Sequence, residues 1–253
     1  MTQCIIYICN ILYLMYFSRT WILNQEQGKL VYAVIILFLS SVFCEVEVNI
    51  TKGILKGQIL KSRNERPYYS FTGIPYAKPP VGKLRFEAPE PVDPWDGILD
   101  ATKHSNACVQ KHETNSSEDC LYLNVYTPSI DADFPVMFWI HGGAFYLGHS
   151  SPNMFGPDYF MDTNVVLVSI NFRLGILGFL STEDDIIPGN YGMKDQVLAL
   201  RWVQENIAKF GGDPGKVTIF GGSSGGASTG YHMLSPMSKG LFHKAILQSG
   251  TPL

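Results

Sequence analysis

The sequence is poor in charge, and the charge it carries is nearly balanced. Lysine and arginine number 19 and aspartate and glutamate 22 among 253 residues, which gives a net charge of −3. No nucleic acid partner is expected, because the chain has no basic excess with which to bind a phosphate backbone. The 46% of hydrophobic residues is typical of a globular protein with one large domain or two small ones.

The sequence also lacks an apolar run of the roughly 18 to 20 residues that a membrane-spanning helix needs. Two shorter runs occupy residues 4–17 and 30–44, and the second follows a lysine and ends in small or moderate residues. That arrangement is typical of a signal peptide. We therefore predict a leader over residues 1–44 and a secreted chain over 45–253, without a stable membrane span. A type II anchor or a two-helix insertion is the alternative, and the first run is interpreted as upstream sequence joined to the true signal.

Cysteine is scarce outside this leader. Of the five cysteines only Cys108 and Cys120 lie beyond residue 44, and a secreted chain would oxidise them to a disulfide. Sequons for glycosylation begin at Asn49 and Asn115. Both agree with secretion, and the second lies between the two cysteines, where we expect an exposed loop.

The hydrophobic pattern beyond the leader predicts an α/β fold. A helix with one apolar stripe is expected over residues 192–210, and a second helix from Ser223 to about Leu234. A proline-rich stretch over residues 74–95 is expected to be an ordered coil. The predicted strands cover residues 48–60, 68–74, 121–127, 136–140, 165–170, 217–220 and 245–248. Strands and helices alternate in the second half of the chain, which predicts a mostly parallel sheet with helices on its faces.

The strand at 217–220 runs directly into a G-x-S-x-G pattern at residues 221–225. A serine at such a strand-to-helix corner projects its hydroxyl from the sheet, and the flanking glycines keep side chains from colliding there. Ser223 is therefore the candidate nucleophile. The alternative interpretation of the pattern alone is an ordinary loop or a phosphate-binding turn.

A second glycine motif, Trp-Ile-His-Gly-Gly-Ala-Phe at residues 139–145, follows the predicted buried strand 136–140. Acyl transfer needs hydrogen-bond donors aimed at a developing oxyanion, and glycines offer backbone N–H groups free of side-chain cover. We expect Gly142 and Gly143 to supply two of these donors. The third is expected from the N–H of Ser224, at the start of the following helix.

The sequence resembles the type-B carboxylesterases, the cholinesterase-like branch of the α/β-hydrolases, over residues 48–252. The resemblance lies in the motifs at residues 71–82, 117–128, 171–175, 189–192, 195–196, 210–214 and 241–250. It implies an α/β-hydrolase fold that is truncated after the nucleophile corner and the next strand, with 45–253 as the amino-terminal part of a carboxylesterase domain.

The same resemblance implies hydrolysis of small-molecule carboxylic esters by a Ser-His-Glu or Ser-His-Asp triad, with Ser223 as the nucleophile. It implies no metal or organic cofactor. It also implies a disulfide between Cys108 and Cys120. Two structural ion pairs are expected from it, Arg85 with Glu118 and Arg173 with Asp195.

Two features depart from the family pattern. Gly222 stands where the family usually has an acidic or amide residue, and Ser224 where it has a small apolar one. The triad acid and histidine of this fold follow the nucleophile after later strands, and only 30 residues remain after Ser223. None of the histidines present is expected to be the base; they are His104, His112, His141, His149, His232 and His243.

Without a base the serine hydroxyl is a poor nucleophile. The chain alone is therefore expected to be inactive, as the amino-terminal half of an esterase. The alternatives are a non-catalytic, cholinesterase-like adhesion or binding domain and a naturally truncated inactive isoform.

Overall fold

A computed structural model describes residues 46–252, so the predicted leader at 1–44 lies outside the described residues. Four α-helices are present in that range: α1 Pro152–Phe155, α2 Gly175–Phe179, α3 Tyr191–Asn206 and α4 Ser224–Leu234. Short 3₁₀ turns occupy Gly82–Leu84, Phe160–Asp162, Ile207–Phe210 and Pro236–Ser238. Within the described range, no helix combines the length and hydrophobicity needed to cross a membrane.

Eleven strands are described. They are β1 Val46–Ile50, β2 Gly53–Lys61, β3 Pro67–Pro75, β4 Ile98–Asp100, β5 Ala107–Cys108, β6 Ser116–Ser117, β7 Tyr122–Thr127, β8 Phe134–Ile140, β9 Val166–Ile170, β10 Gly212–Gly222 and β11 Lys244–Gln248. The main sheet has the order β1-β2-β3-β7-β9-β8-β10-β11, with β4 paired to β2. Strands β1, β2, β3, β7 and β9 pair antiparallel, whereas β9, β8, β10 and β11 pair parallel. The predicted antiparallel start and parallel continuation are both confirmed.

Alternating side chains of the central strands divide the core between the two faces of the sheet. In β8, Val136 and Phe138 belong to the larger cluster, which also includes Leu200 and Val203 of α3. Met137 and Trp139 point to the other face, because successive side chains of a strand alternate, and Trp139 packs there on Phe155 at the end of α1. Helical segments therefore cover both faces, as predicted.

Two predicted elements differ in their limits. Strand β10 begins at Gly212 rather than 217, because the chain already pairs with β8 there, before a register shift between Gly212 and Val217. The α-helix α3 ends at Asn206 rather than at 210, and a 3₁₀ turn continues from Ile207 to Phe210. Gly211 follows this turn with φ +72°. The short strands β4, β5 and β6 carry too few residues to show a periodic pattern in the sequence.

Both expected ion pairs are present. The buried guanidinium of Arg173 donates to both carboxylate oxygens of Asp195, at 2.9 and 2.7 Å, and the Arg173 backbone N–H adds a bond of 3.0 Å. The guanidinium of Arg85 donates two hydrogen bonds to the carboxylate oxygens of Glu118, each 2.6 Å long, and this pair lies nearer the surface. Bidentate geometry of this kind fixes the segments that it joins, so these four charges have structural roles.

The disulfide between Cys108 and Cys120 is present, and it closes a loop with a sequence separation of 12 residues. The short ladder of β5 with β6 pairs Ala107 with Ser116 and Cys108 with Ser117, and it holds the base of this loop. Asn49 on β1 and Asn115 in the loop are both exposed, so glycosylation of either side chain is sterically possible and stays a prediction.

We predict that replacing Cys108 by Ser lowers the free energy of unfolding by about 3 kcal/mol, since a cross-link over a loop of this length mainly constrains the unfolded chain. Urea denaturation of the oxidised protein and of the variant measures the loss. Peptide mapping without reduction should recover the two cysteines as one linked species. Recovery of both cysteines as free thiols from the folded protein would contradict the pairing.

Candidate active site

Ser223 stands at the corner between β10 and α4 with φ 55° and ψ −122°. A non-glycine residue at positive φ is strained, and such strain persists only where the surroundings impose it. Here the Ser223 N–H donates to the Gln248 carbonyl at 2.8 Å, and its carbonyl accepts from the Ala227 N–H at 3.0 Å. These two bonds hold the corner, and Ser223 itself is exposed.

The glycines of the corner are required by close approach of backbone to backbone. A Cβ on Gly225 would lie 2.1 Å from the Ile140 carbonyl oxygen, and a Cβ on Gly221 would lie 2.4 Å from the Gly225 carbonyl carbon. Gly222 differs, because a Cβ there would meet only the Trp139 ring, at 3.6 Å. The glycine at 222 therefore leaves space beside Ser223 rather than relieving a clash.

The second glycine motif lies directly against this corner. A Cβ on Gly142 would lie 2.6 Å from the Gly222 carbonyl oxygen and 3.3 Å from the Ser223 Cβ. Gly143 has φ +122°, and its added Cβ would come within 2.0 Å of the Leu147 carbonyl oxygen. Among the described residues, the N–H groups of Gly142 and Gly143 have no hydrogen-bond acceptor, so both are available to a ligand.

The contacts of Ser224 explain why a hydroxyl residue stands where the family pattern has a small apolar one. Ser224 is buried, and its hydroxyl oxygen accepts a hydrogen bond of 3.3 Å from the Phe145 N–H. Its side chain thus ties the start of α4 to the glycine motif after β8. Its own N–H lies in the first turn of α4, where backbone donors have no partner within the helix.

Ser223, Gly142 and Gly143 line one cavity of about 560 Å³. Apolar side chains contribute to its walls; they are Trp139, Leu147, Met154 and Phe155. Residues Gln110 to Glu113 of the disulfide-closed loop, together with His149, line it as well. These loop residues are not predicted at the site, because their only signal in the sequence is their position after Cys108.

His141 is buried next to the glycine motif. Its Nδ1 lies 2.8 Å from the Gly142 carbonyl oxygen, and its ring stacks on Phe172 with 4.4 Å between centroids. Burial lowers the pKa of His141 to about 4, so the ring is neutral near pH 7. Because a carbonyl oxygen only accepts, Nδ1 carries the hydrogen and donates it, which gives His141 a structural role, as expected.

His232 is buried between α3 and the turn after α4. Its Nε2 lies 2.8 Å from Gln196 Oε1 and its Nδ1 2.8 Å from the Ser238 hydroxyl. The amide oxygen accepts from Nε2–H, and the hydroxyl donates to Nδ1. Burial lowers the pKa of His232 to about 4. Both ring nitrogens are therefore engaged away from Ser223.

His149 is the histidine whose surroundings most resemble those of a base, because it lines the Ser223 cavity beside a carboxylate. Its Nε2 lies 3.9 Å from Glu113 Oε2, and its Nδ1 accepts from the Ser151 N–H at 3.2 Å. Because Nδ1 accepts a hydrogen bond, a neutral ring carries its hydrogen on Nε2, and that nitrogen then cannot take a proton from Ser223. His243 Nδ1 likewise accepts from the Val217 N–H, at 3.3 Å.

Comparison with known proteins gives a consistent result. The sequence profile described as "Carboxylesterase family" matches residues 45–253. The chain is 53% identical to Juvenile hormone esterase of Tribolium castaneum, over 79% of this chain and 36% of that protein. It is 51% identical to Venom carboxylesterase-6 of Apis mellifera, over 81% of this chain and 38% of that protein.

A solved structure agrees with these sequences. The crystal structure of Juvenile Hormone Esterase from Manduca sexta, with OTFP covalently attached, superimposes with a TM-score of 0.80 at 38% identity. The match covers 82% of this chain and 41% of that one. The chain thus spans well under half the length of the relatives that it matches.

We predict that Gly225→Ala lowers the free energy of unfolding by about 3 kcal/mol or more, because its methyl group meets a backbone carbonyl that no side-chain rotation can move. The matched variant Gly222→Ala, whose methyl group makes ordinary contact with Trp139, should change it by less than about 1 kcal/mol. Urea midpoints of the two variants measure the difference. Equal losses would show that the corner is not as tightly packed as described.

The two buried histidines also predict acid sensitivity. The unfolded chain takes up a proton below the ordinary histidine pKa of 6.5, whereas His141 and His232 stay neutral in the fold until about 4. Stability should therefore fall as pH drops from about 6.5 towards 4, by on the order of 1 to 2 kcal/mol for each histidine between pH 7 and 5. His232→Gln should reduce this loss. Unfolding free energies of the two proteins at pH 7 and at pH 5 test this, and identical pH dependence would refute the assignment.

Proposed function

Since this chain belongs to the carboxylesterase family and has its α/β-hydrolase fold, we propose that it hydrolyses small-molecule carboxylic esters with Ser223 as the nucleophile. One observation carries the proposal. The exposed serine at a strained corner shares a cavity with the N–H groups of Gly142 and Gly143, which have no acceptor in the described part of the chain. A nucleophile beside preorganised donors is the arrangement that acyl transfer requires.

In the proposed reaction the Ser223 oxygen attacks the ester carbonyl carbon, and its proton passes to a general base. The carbonyl oxygen becomes an oxyanion that accepts hydrogen bonds from the N–H groups of Gly142, Gly143 and Ser224. Collapse of this intermediate breaks the bond to the alcohol oxygen, which leaves with the proton from the base. Water then attacks the acyl-enzyme in the same way, releases the carboxylic acid and restores the serine hydroxyl.

The base and the acid that orients it are assigned by resemblance to a histidine and a Glu or Asp that follow the nucleophile in the chain. Among the described residues no histidine nitrogen is hydrogen-bonded to the Ser223 hydroxyl, which supports this assignment; the bonded nitrogens of His141, His149, His232 and His243 have other partners. We therefore propose that residues 46–252 alone turn over esters slowly, through the oxyanion donors and binding. No metal or organic cofactor has a role in this scheme.

The walls of the cavity favour an ester with an apolar group. Trp139, Leu147 and Phe155 line it together with Ser223, and burial of an apolar group against such side chains supplies binding energy. The name of the Tribolium relative specifies an esterase, which supports an ester as the substrate. We also propose that the protein acts outside the cell after secretion. The exposed sequon at Asn49, just beyond the predicted leader, supports this location.

We predict that Ser223→Ala in the complete gene product lowers kcat for a p-nitrophenyl ester by about 10⁴-fold or more, the loss seen when a serine hydrolase loses its nucleophile. Ser181→Ala, an exposed serine outside the cavity, is the control and should leave kcat unchanged. A fluorophosphonate probe should label the peptide that contains Ser223. Labelling elsewhere, or full activity of Ser223→Ala, would refute the proposed nucleophile.

A further inference from the structure

The side chain of Gln110 joins the disulfide-closed loop to Gly148, which follows the glycine motif. The Gln110 amide nitrogen donates to the Gly148 carbonyl at 2.8 Å, and the Gln110 amide oxygen accepts from the Gly148 N–H at 2.8 Å. The same nitrogen donates its second hydrogen to the Cys108 carbonyl at 3.0 Å. Gln110 thus pairs with the backbone of Gly148 as a neighbouring strand would. The hydrogen bond to the Cys108 carbonyl fixes the Gln110 amide at the disulfide.

Gly148 in turn lies against the oxyanion motif. It adopts φ +113°, and an added Cβ would lie 2.4 Å from the Gly142 carbonyl oxygen and 2.3 Å from His141 Nδ1. The Gly142 carbonyl belongs to the peptide that carries the Gly143 N–H. This carbonyl oxygen accepts a hydrogen bond from His141 Nδ1 at 2.8 Å, and Gly148 packs so closely against both groups that no side chain fits there.

Only a primary amide can make both bonds to Gly148 at once, because it carries a donor and an acceptor side by side. A carboxylate at position 110 would accept from the Gly148 N–H but would face the Gly148 carbonyl with a second acceptor. A hydrocarbon side chain would leave both partly buried backbone groups of Gly148 without this partner, which destabilises this arrangement.

We propose that Gln110 is a positioning residue for the oxyanion donors: it fixes Gly148, and through Gly148 the peptide between Gly142 and Gly143. The proposal rests on the proposed function. It requires that Gln110, which lines the cavity but is bonded to Cys108 and Gly148 and not to Ser223, contributes to stabilisation of the transition state through Gly148. Its loss should therefore lower kcat with little effect on KM, since the donors act when the oxyanion forms.

Gln204 offers a matched control. Its amide nitrogen also bridges two backbone carbonyls, those of Pro214 and Leu241, both at 3.0 Å. Like Gln110 it is partly buried, but it does not line the Ser223 cavity. Gln204→Ala therefore removes comparable hydrogen bonds from the fold and leaves the proposed oxyanion donors in place.

The test uses the complete gene product with the variants Gln110→Ala, Gln110→Glu and Gln204→Ala. For a p-nitrophenyl ester, both Gln110 variants should lower kcat by at least about tenfold, which is less than the roughly 10²- to 10³-fold loss on removal of an oxyanion donor. KM should change by less than about threefold. The inhibition constant of a trifluoromethyl ketone, which forms a tetrahedral adduct with a serine, should rise in parallel with the fall in kcat. Gln204→Ala should lower Tm but keep kcat within about twofold.

If Gln110→Ala does not fold, Gln110→Met replaces it, since methionine keeps the length of the side chain and removes both bonds. Gln110 variants that lose only Tm, as Gln204→Ala does, or that raise KM with an unchanged kcat, would overturn the proposal while Ser223-dependent hydrolysis by the unmodified protein stands. Absence of that hydrolysis in the unmodified protein would overturn the proposed function and this inference together.

Discussion

The site depends on one packing constraint, the contact of two backbone segments with no side chain between them. The turn after β10 and the turn after β8 approach so closely that a methyl group on Gly225 would lie 2.1 Å from the Ile140 carbonyl oxygen, and one on Gly142 would lie 2.6 Å from the Gly222 carbonyl oxygen. This contact brings the Ser223 hydroxyl and the free N–H groups into one cavity. It also explains why glycine occurs at these positions when it costs stability in an ordinary strand or helix.

The parallel part of the sheet makes that contact possible. Strands β8 and β10 are neighbours and run in the same direction, so their carboxyl ends and the turns that follow lie at the same edge. Ligands of open α/β sheets bind at this edge. The Arg173–Asp195 pair stabilises the first turn beyond the adjacent strand β9. Ser223 lies at this edge, where its bonds with Gln248 and Ala227 hold the strained backbone.

The strand-to-helix corner at Ser223 and the close approach of the glycine motif after β8 follow from local sequence patterns, whereas their catalytic roles stay predictions. The helix α3 was predictable for the same reason, since an apolar stripe needs only one face to be buried. The contact of Gln110 with Gly148 could not be predicted, because it joins residues 38 apart that belong to no common pattern. The contribution of the disulfide-closed loop to the cavity wall and the hydrogen bond from the Phe145 N–H to Ser224 could not be predicted either. Both arise from tertiary packing between segments that are distant in the sequence.

A crystal structure of the complete gene product after reaction with a phosphonate ester would test the central claim most directly, because the adduct imitates the tetrahedral intermediate. The account predicts phosphorus bonded to the Ser223 oxygen, with one phosphonyl oxygen about 2.7 to 3.1 Å from the backbone nitrogens of Gly142, Gly143 and Ser224. A phosphonyl oxygen directed to solvent, or an adduct on another residue, would contradict it.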